Sequence, residues 1–138
     1  MGAYAQSKLA DLLFAFELER KLRAGKRKTV SLAAHPGVAN TKLFINGEYP
    51  AYELAMRKIA GVGIGMLLNS EAEGAIPTLY AAVSPEAKGG GYYGPQGWLE
   101  MRGGDVGPAK LAPQALDVSS QERLWGQCEK MTGVSFAG

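Results

Sequence analysis

An α/β fold is predicted by three features of the 138-residue sequence. A helical stretch runs uninterrupted to Ala24, a short uncharged strand follows it directly, and a second strand at Tyr92–Pro95 comes only after further helical stretches. Strands separated by helices are the pattern of α/β proteins.

The first helix is expected over Ala5 to Ala24. Leu9, Leu12, Leu13, Phe16 and Leu18 recur at helical spacing without Pro or Gly between them. Ala10, Phe14 and Ala15 widen the apolar stripe, which predicts burial on two sides. Lys21, Arg23 and then Gly25 supply a basic last turn and a stop. Thr29 to Ala34 begins β-branched and carries no charge, as a buried strand does, and His35-Pro36-Gly37 ends it. A second helical stretch is expected roughly within Ala51 to Leu68, weakened by Gly61, Gly63 and Gly65. A third starts near Ser70, where Ser70 and Glu73 have the spacing of a capping box, and continues to Ala82 with a bend or break at Pro77. Gly89-Gly90-Gly91 reads as a loop, Tyr92-Tyr93-Gly94-Pro95 as a short strand, and Gly97 to Pro113 as a long surface loop. Ser119 or Ser120 caps a last helix that runs to about Met131. Two strands make a very small sheet, and a strand as apolar as Val30–Ala34 expects neighbours on both sides, so part of a larger sheet is expected to be missing.

Composition narrows the function. The hydrophobic fraction is 46%, the charged fraction 20% and the net charge +2. Such a balance gives no electrostatic footprint for nucleic acid or an anionic membrane. The longest apolar run, Ile59 to Leu68, is ten residues, against the roughly 20 that a membrane span needs. No membrane partner is therefore expected. Cys128 is the one cysteine, which rules out an intrachain disulfide and a cysteine metal cluster and fits a reducing, cytoplasmic setting. With His35 also the one histidine, no metal site is expected.

The chemistry starts with Tyr4 and Lys8. Four residues apart on a helix, they lie about 6 Å apart along the axis and on one face. An ammonium near a phenol favours the phenolate, and a tyrosine tuned in that way exchanges a proton with an alcohol or carbonyl oxygen. The three donors of a lysine can also hold a sugar hydroxyl. The spacing alone equally fits a solvated surface pair.

The residues beyond the pair separate these two possibilities. Tyr4-Ala5-Gln6-Ser7-Lys8-Leu9-Ala10 opens an apolar helix, a strand comes next, and then His35-Pro36-Gly37-Val38-Ala39-Asn40-Thr41-Lys42-Leu43. This order resembles the short-chain dehydrogenase/reductase family, with its Tyr-x-x-x-Lys helix, a strand ending in Pro-Gly, and a threonine four residues beyond the glycine. Gly91-Tyr92-Tyr93-Gly94-Pro95 is similar to the family's last strand in the subgroup resembling retinol dehydrogenases.

The resemblance implies the C-terminal portion of a doubly wound Rossmann-type parallel sheet, its last two strands plus flanking helices, with residues 1–138 as the C-terminal half of the domain. It implies oxidation or reduction of a small-molecule alcohol/carbonyl pair with NAD or NADP. Tyr4 would be the acid/base, and Lys8 would tune it and bind the nicotinamide ribose. Pro36 and Gly37 would shape the turn beneath the nicotinamide, Ala39 would offer its backbone and Thr41 its hydroxyl to the carboxamide, and Leu43 through Leu68 would cover the substrate.

The Gly-rich phosphate turn and the serine that orients the substrate oxygen would precede Tyr4 and are not in this sequence. The chain by itself is accordingly expected to bind neither dinucleotide and to be inactive, and its bared apolar surface to favour self-association. The alternative from another class is a non-catalytic interaction module that associates through the apolar helix of residues 5–24. Gly61-Val62-Gly63-Ile64-Gly65-Met66 superficially looks like a dinucleotide fingerprint, but Met66 stands where Gly or Ala belongs and no strand precedes it. His35 reads as structural, with no partner acid visible, Trp98 and Trp125 as packing residues, and the basic residues from Lys21 to Lys28 as a solvated helix end.

Overall fold

The computed structural model describes residues 2–37, 69–97, 100 and 103–136. They fall into two compact units, Met1–Ala33 with Val83–Tyr92 and Lys110–Gly138, and Ala34–Ala82 with Tyr93–Ala109.

In the first unit helix α1 spans Ala3–Ala24. It begins two residues before the predicted start, with Gly2 as N-cap and no side-chain cap. The stop is of a different kind from the one expected. Gly25 keeps a negative φ, and Lys26 takes the left-handed conformation at φ 52°. Arg27 N–H then donates to Leu22 C=O at 2.9 Å and Lys26 N–H to Arg23 C=O at 3.0 Å. These two bonds make a Schellman ending with a lysine in the position glycine usually fills.

The last helix spans Val118–Thr132 and follows a 3-10 turn at Pro113–Leu116. Asp117 caps it by accepting from Ser120 N–H at 3.1 Å, which corrects the expected serine cap. Gly133, at φ 70°, closes the other end. Phe14 stacks on Trp125 with ring centroids 4.9 Å apart, and Phe136 meets Trp125 edge-on at 5.7 Å. Among the described residues of this unit, Leu13, Leu22, Ala115 and Trp125 are the buried hydrophobic side chains. One apolar face of α1 is buried and another is left partly open, as expected of this chain without a further neighbour. Its buried face includes Glu17 and Glu19, while Phe14 stays 40% exposed.

Both acids are paired, as buried charges must be. Glu17 accepts two bonds from Arg20 at 2.8 Å and lies 3.8 Å from Lys21 Nζ. Glu19 accepts from Arg23 Nε at 2.6 Å and from Ser31 N–H at 2.7 Å.

The Glu19–Ser31 bond explains why the strand predicted over Thr29–Ala34 shortens to β1 at Ala33–Ala34. The Ser31 amide is spent on a side chain, so regular pairing starts later. Gly90 N–H donates to Ser31 C=O and Ala33 N–H to Gly91 C=O. In the second unit His35 N–H donates to Tyr93 C=O. Partner numbers rise together, so β1 runs parallel to β2 at Tyr92–Pro95.

A third strand, β3 at Val106–Pro108, pairs antiparallel with β2 and gives the order β1-β2-β3. It lies in the stretch expected to be loop throughout. The sheet of described residues is therefore small and mixed rather than two parallel strands. Helix α2 spans Glu71–Val83. Its capping box is present: Ser70 N–H donates to the Glu73 carboxylate at 2.7 Å, and Glu73 N–H to the Ser70 hydroxyl at 3.2 Å. Of the bend or break expected at Pro77, the break does not occur, since Pro77 is buried within the continuous helix. The helical stretch expected at 51–68 and the tryptophan at 98 lie outside the described residues. Among the described residues no helix is long and apolar enough to cross a membrane.

Candidate active site

Helix α1 sets Tyr4 and Lys8 one turn apart near its start. Tyr4 is 67% exposed, and the Lys8 side chain is 59% exposed. The Lys8 ammonium lies 5.9 Å from the centroid of the Tyr4 ring. Its short contact is with Asp11 Oδ2 at 2.8 Å, a residue the sequence did not single out although the i,i+3 spacing allows the pair. The hydrogen bond and the charge of Asp11 hold the Lys8 amine above its ordinary range. Lys8 is therefore a cation at neutral pH. Ser7 Oγ donates to the Tyr4 carbonyl at 2.8 Å and fixes the first turn.

Tyr4 and Lys8 belong to the first unit, while Pro36 and Gly37 belong to the second and directly follow β1. Gly37 has φ 71°, the left-handed region where glycine is favoured. Asn69, fully buried, donates from Nδ2 to Pro36 C=O at 3.0 Å and accepts from Gly103 N–H at 3.4 Å. Gly37 N–H donates to His35 Nδ1 at 3.2 Å. The two candidate cofactor positions at 39 and 41, the substrate-covering segment at 43–68 and the glycine-rich stretch at 61–66 lie outside the described residues.

His35 does have a partner acid, contrary to the expectation from sequence. Its Nε2 lies 3.6 Å from Glu100 Oε2, beyond hydrogen-bond length but within ion-pair reach. The separation in sequence left no local signal for that pairing. Burial pushes the imidazole below its ordinary range, and the Glu100 carboxylate opposes this without reversing it. Among the described residues no group of three or more His, Cys, Asp or Glu side chains could hold a metal.

No family model matches the chain. Curated proteins do. Retinol dehydrogenase 14 of Homo sapiens is 33% identical across 95% of this chain, which covers 35% of that protein. Polyprenol dehydrogenase of Mus musculus is 37% identical, with 96% of this chain and 36% of the relative covered. The short chain dehydrogenase/reductase dpmpH of Macrophomina phaseolina is 30% identical, with 91% and 57% covered. The crystal structure of an uncharacterized protein from Mycobacterium paratuberculosis superposes with a TM-score of 0.68 at 32% identity, covering 99% of this chain and 40% of the other. The chain spans little more than a third of the length of the retinol and polyprenol dehydrogenases it matches. Along nearly all of its own length, the chain is a homologue of short-chain dehydrogenases/reductases and corresponds to a part of them.

Proposed function

We propose that this chain carries the proton-transfer residues of an NAD(P)-dependent oxidoreductase that interconverts an alcohol and a carbonyl. In this reading residues 1–138 are the C-terminal half of a short-chain dehydrogenase/reductase domain, and β1 and β2 are the closing strands of a doubly wound sheet. The observation that carries the reading is the placement of Tyr4 and Lys8 on successive turns of α1, both open to solvent, with the cation 5.9 Å from the tyrosine ring. The dehydrogenase names of the relatives support it.

In this reading Lys8 would hold the ribose of the nicotinamide cofactor. Lys8 has three N–H donors and gives one to Asp11, which leaves two for ribose hydroxyls. By the family resemblance, Pro36 and Gly37 would shape the turn beneath the nicotinamide, and the residues at 39 and 41, outside the described residues, would serve its carboxamide. When bound, NAD(P) supplies or accepts the hydride. In reduction, Tyr4 Oη would give its proton to the carbonyl oxygen, and in oxidation it would take the alcohol proton. Retinol and polyprenol, the alcohols in the relatives' names, are the substrates to test first.

The test uses an active form in which this chain is joined to a dinucleotide-binding half. Tyr4→Phe is expected to lower turnover by about 100-fold or more while leaving cofactor affinity within a few-fold. Lys8→Ala is expected to lose both. Steady-state kinetics in which Tyr4→Phe keeps most of the activity would overturn the assignment. Among the described residues no Gly-rich turn joins a strand to a helix N-terminus. The 138-residue chain by itself is expected to show no measurable NADH or NADPH binding by calorimetry. Light scattering on the same sample tests self-association, and a monomer with micromolar affinity would contradict both expectations.

A further inference from the structure

Both ends of the Pro36–Gly37 turn are held by side chains to which the sequence alone assigned no part in the site. The Pro36 carbonyl is tied by the buried Asn69 amide, which the Gly103 amide in turn orients. The Gly37 amide is tied by His35. An amide can donate to Nδ1 only if that nitrogen carries no proton, so the imidazole is the neutral tautomer with its hydrogen on Nε2. Nε2 is the nitrogen set toward Glu100, which suits a donor facing a carboxylate. Gly94 of β2 packs against the ring so closely that a Cβ there would overlap it.

We propose that His35 and Asn69 are positioning residues that set the Pro36–Gly37 turn, with His35 acting through its neutral Nδ1. Protonation of His35 puts a hydrogen on Nδ1 and removes the acceptor from Gly37 N–H. Among the described residues the turn then keeps its hold at Pro36, while the imidazolium gains an ion pair with Glu100. Among the described residues, Glu100 brings a charge to the ring, β2 brings the uncharged Gly94, and Asn69 is neutral. The burial of His35 favours the neutral form and so the intact turn. The consequence for the nicotinamide rests on the function proposed above, but the geometry of the turn does not.

The chain has one histidine, so its imidazole signals in nitrogen-correlated NMR need no assignment by mutation. At pH 8 the Nε2–H tautomer is expected, with Nδ1 showing the shift of a bare acceptor. On acidification the imidazole should titrate below the usual histidine midpoint. The Gly37 amide resonance should move with the same midpoint and exchange faster below it. Glu100→Gln removes the opposing carboxylate and should shift both midpoints down together. Asn69→Asp removes the donor to Pro36 and should move the Gly37 amide at pH 8 while leaving the α1 amides unchanged.

A Gly37 amide that ignores the imidazole titration, or the opposite tautomer, overturns the proposal whatever the enzyme assays give. Should Asn69→Asp fail to fold, the wild-type titration and Glu100→Gln still decide the role of His35. A failed activity test with these NMR results intact would count only against the proposed function.

Discussion

At the level of single residues, Gly94 shows how much a missing side chain can specify. The atoms an added Cβ would meet are the Nε2, Cδ2 and Cε1 of His35. Gly94→Ala must therefore push the imidazole away from its seat. Overpacking of this sort costs about 1–3 kcal/mol. Urea denaturation of Gly94→Ala should show a loss in that range, and His35→Ala in the same background should recover most of it. An unchanged midpoint for Gly94→Ala would mean that the ring swings aside without resistance. The pair also marks what the sequence could reveal. Tyr4, Lys8, Pro36 and Gly37 stand out because their spacing is local. The partners that position them do not, because Asn69 reaches back to Pro36 and Glu100 to His35 across long stretches of chain. Asp11 beside Lys8 is the exception, a local pair that helical spacing could have revealed.

Elements are legible where their end signals are side chains acting on nearby backbone. Ser70 and Glu73 form the box that their spacing predicts. Replacing Ser70 by Ala should cost about 1 kcal/mol, read as a lower thermal midpoint, and Ser70→Asp should restore most of it. The start of the last helix differs from expectation by a short distance because Asp117, Ser119 and Ser120 are all good caps. The choice falls on Asp117, whose carboxylate takes both the amide and the hydroxyl of Ser120. Asp117→Ala should therefore lower the melting temperature more than Ser119→Ala, and the reverse order would contradict this cap. The strand after α1 falls short of its predicted length for a tertiary reason. Thr29 and Val30 have strand propensity, yet the Ser31 amide goes to the buried Glu19 carboxylate and Val30 is 53% exposed. Strand β3 is hidden in the sequence because Gly107 and Pro108 look like loop residues. Pairing with β2 overrides that local preference, and at Gly107 the absent side chain leaves room for Gln96.

For the molecule as a whole, the titrating groups give the pH dependence of stability a definite shape. Among the described residues His35 sits below its ordinary value through burial, Asp117 through the Ser120 hydroxyl, and Glu129 through the Phe136 amide. For each of these the unfolded chain binds protons more readily than the folded one, so stability rises with pH across its window. His35 contributes fully above about 6.5, the ordinary histidine value, and its contribution is lost as pH falls through the lower folded value. The two carboxylates contribute fully above about 4.3 and lose their effect in stronger acid. Lys8 and Arg20 lie above their ordinary values because of Asp11 and Glu17, so their contributions are present in neutral solution and are lost only as pH rises through those raised values. Exposed pairs such as Lys8–Asp11 are screened by solvent, so the alkaline limb should be shallow until other groups titrate. The urea midpoint is therefore expected to be nearly flat from about pH 7 to 9, to step down as pH falls below about 6.5, and to fall again in stronger acid below about pH 4.5. With one histidine in the chain, the first step belongs to His35. In His35→Gln the step should vanish while the fall in stronger acid remains. Stability that rose between pH 7 and pH 5 in the unaltered chain would reverse the sign and show that the carboxylate of Glu100, rather than burial, governs the imidazole.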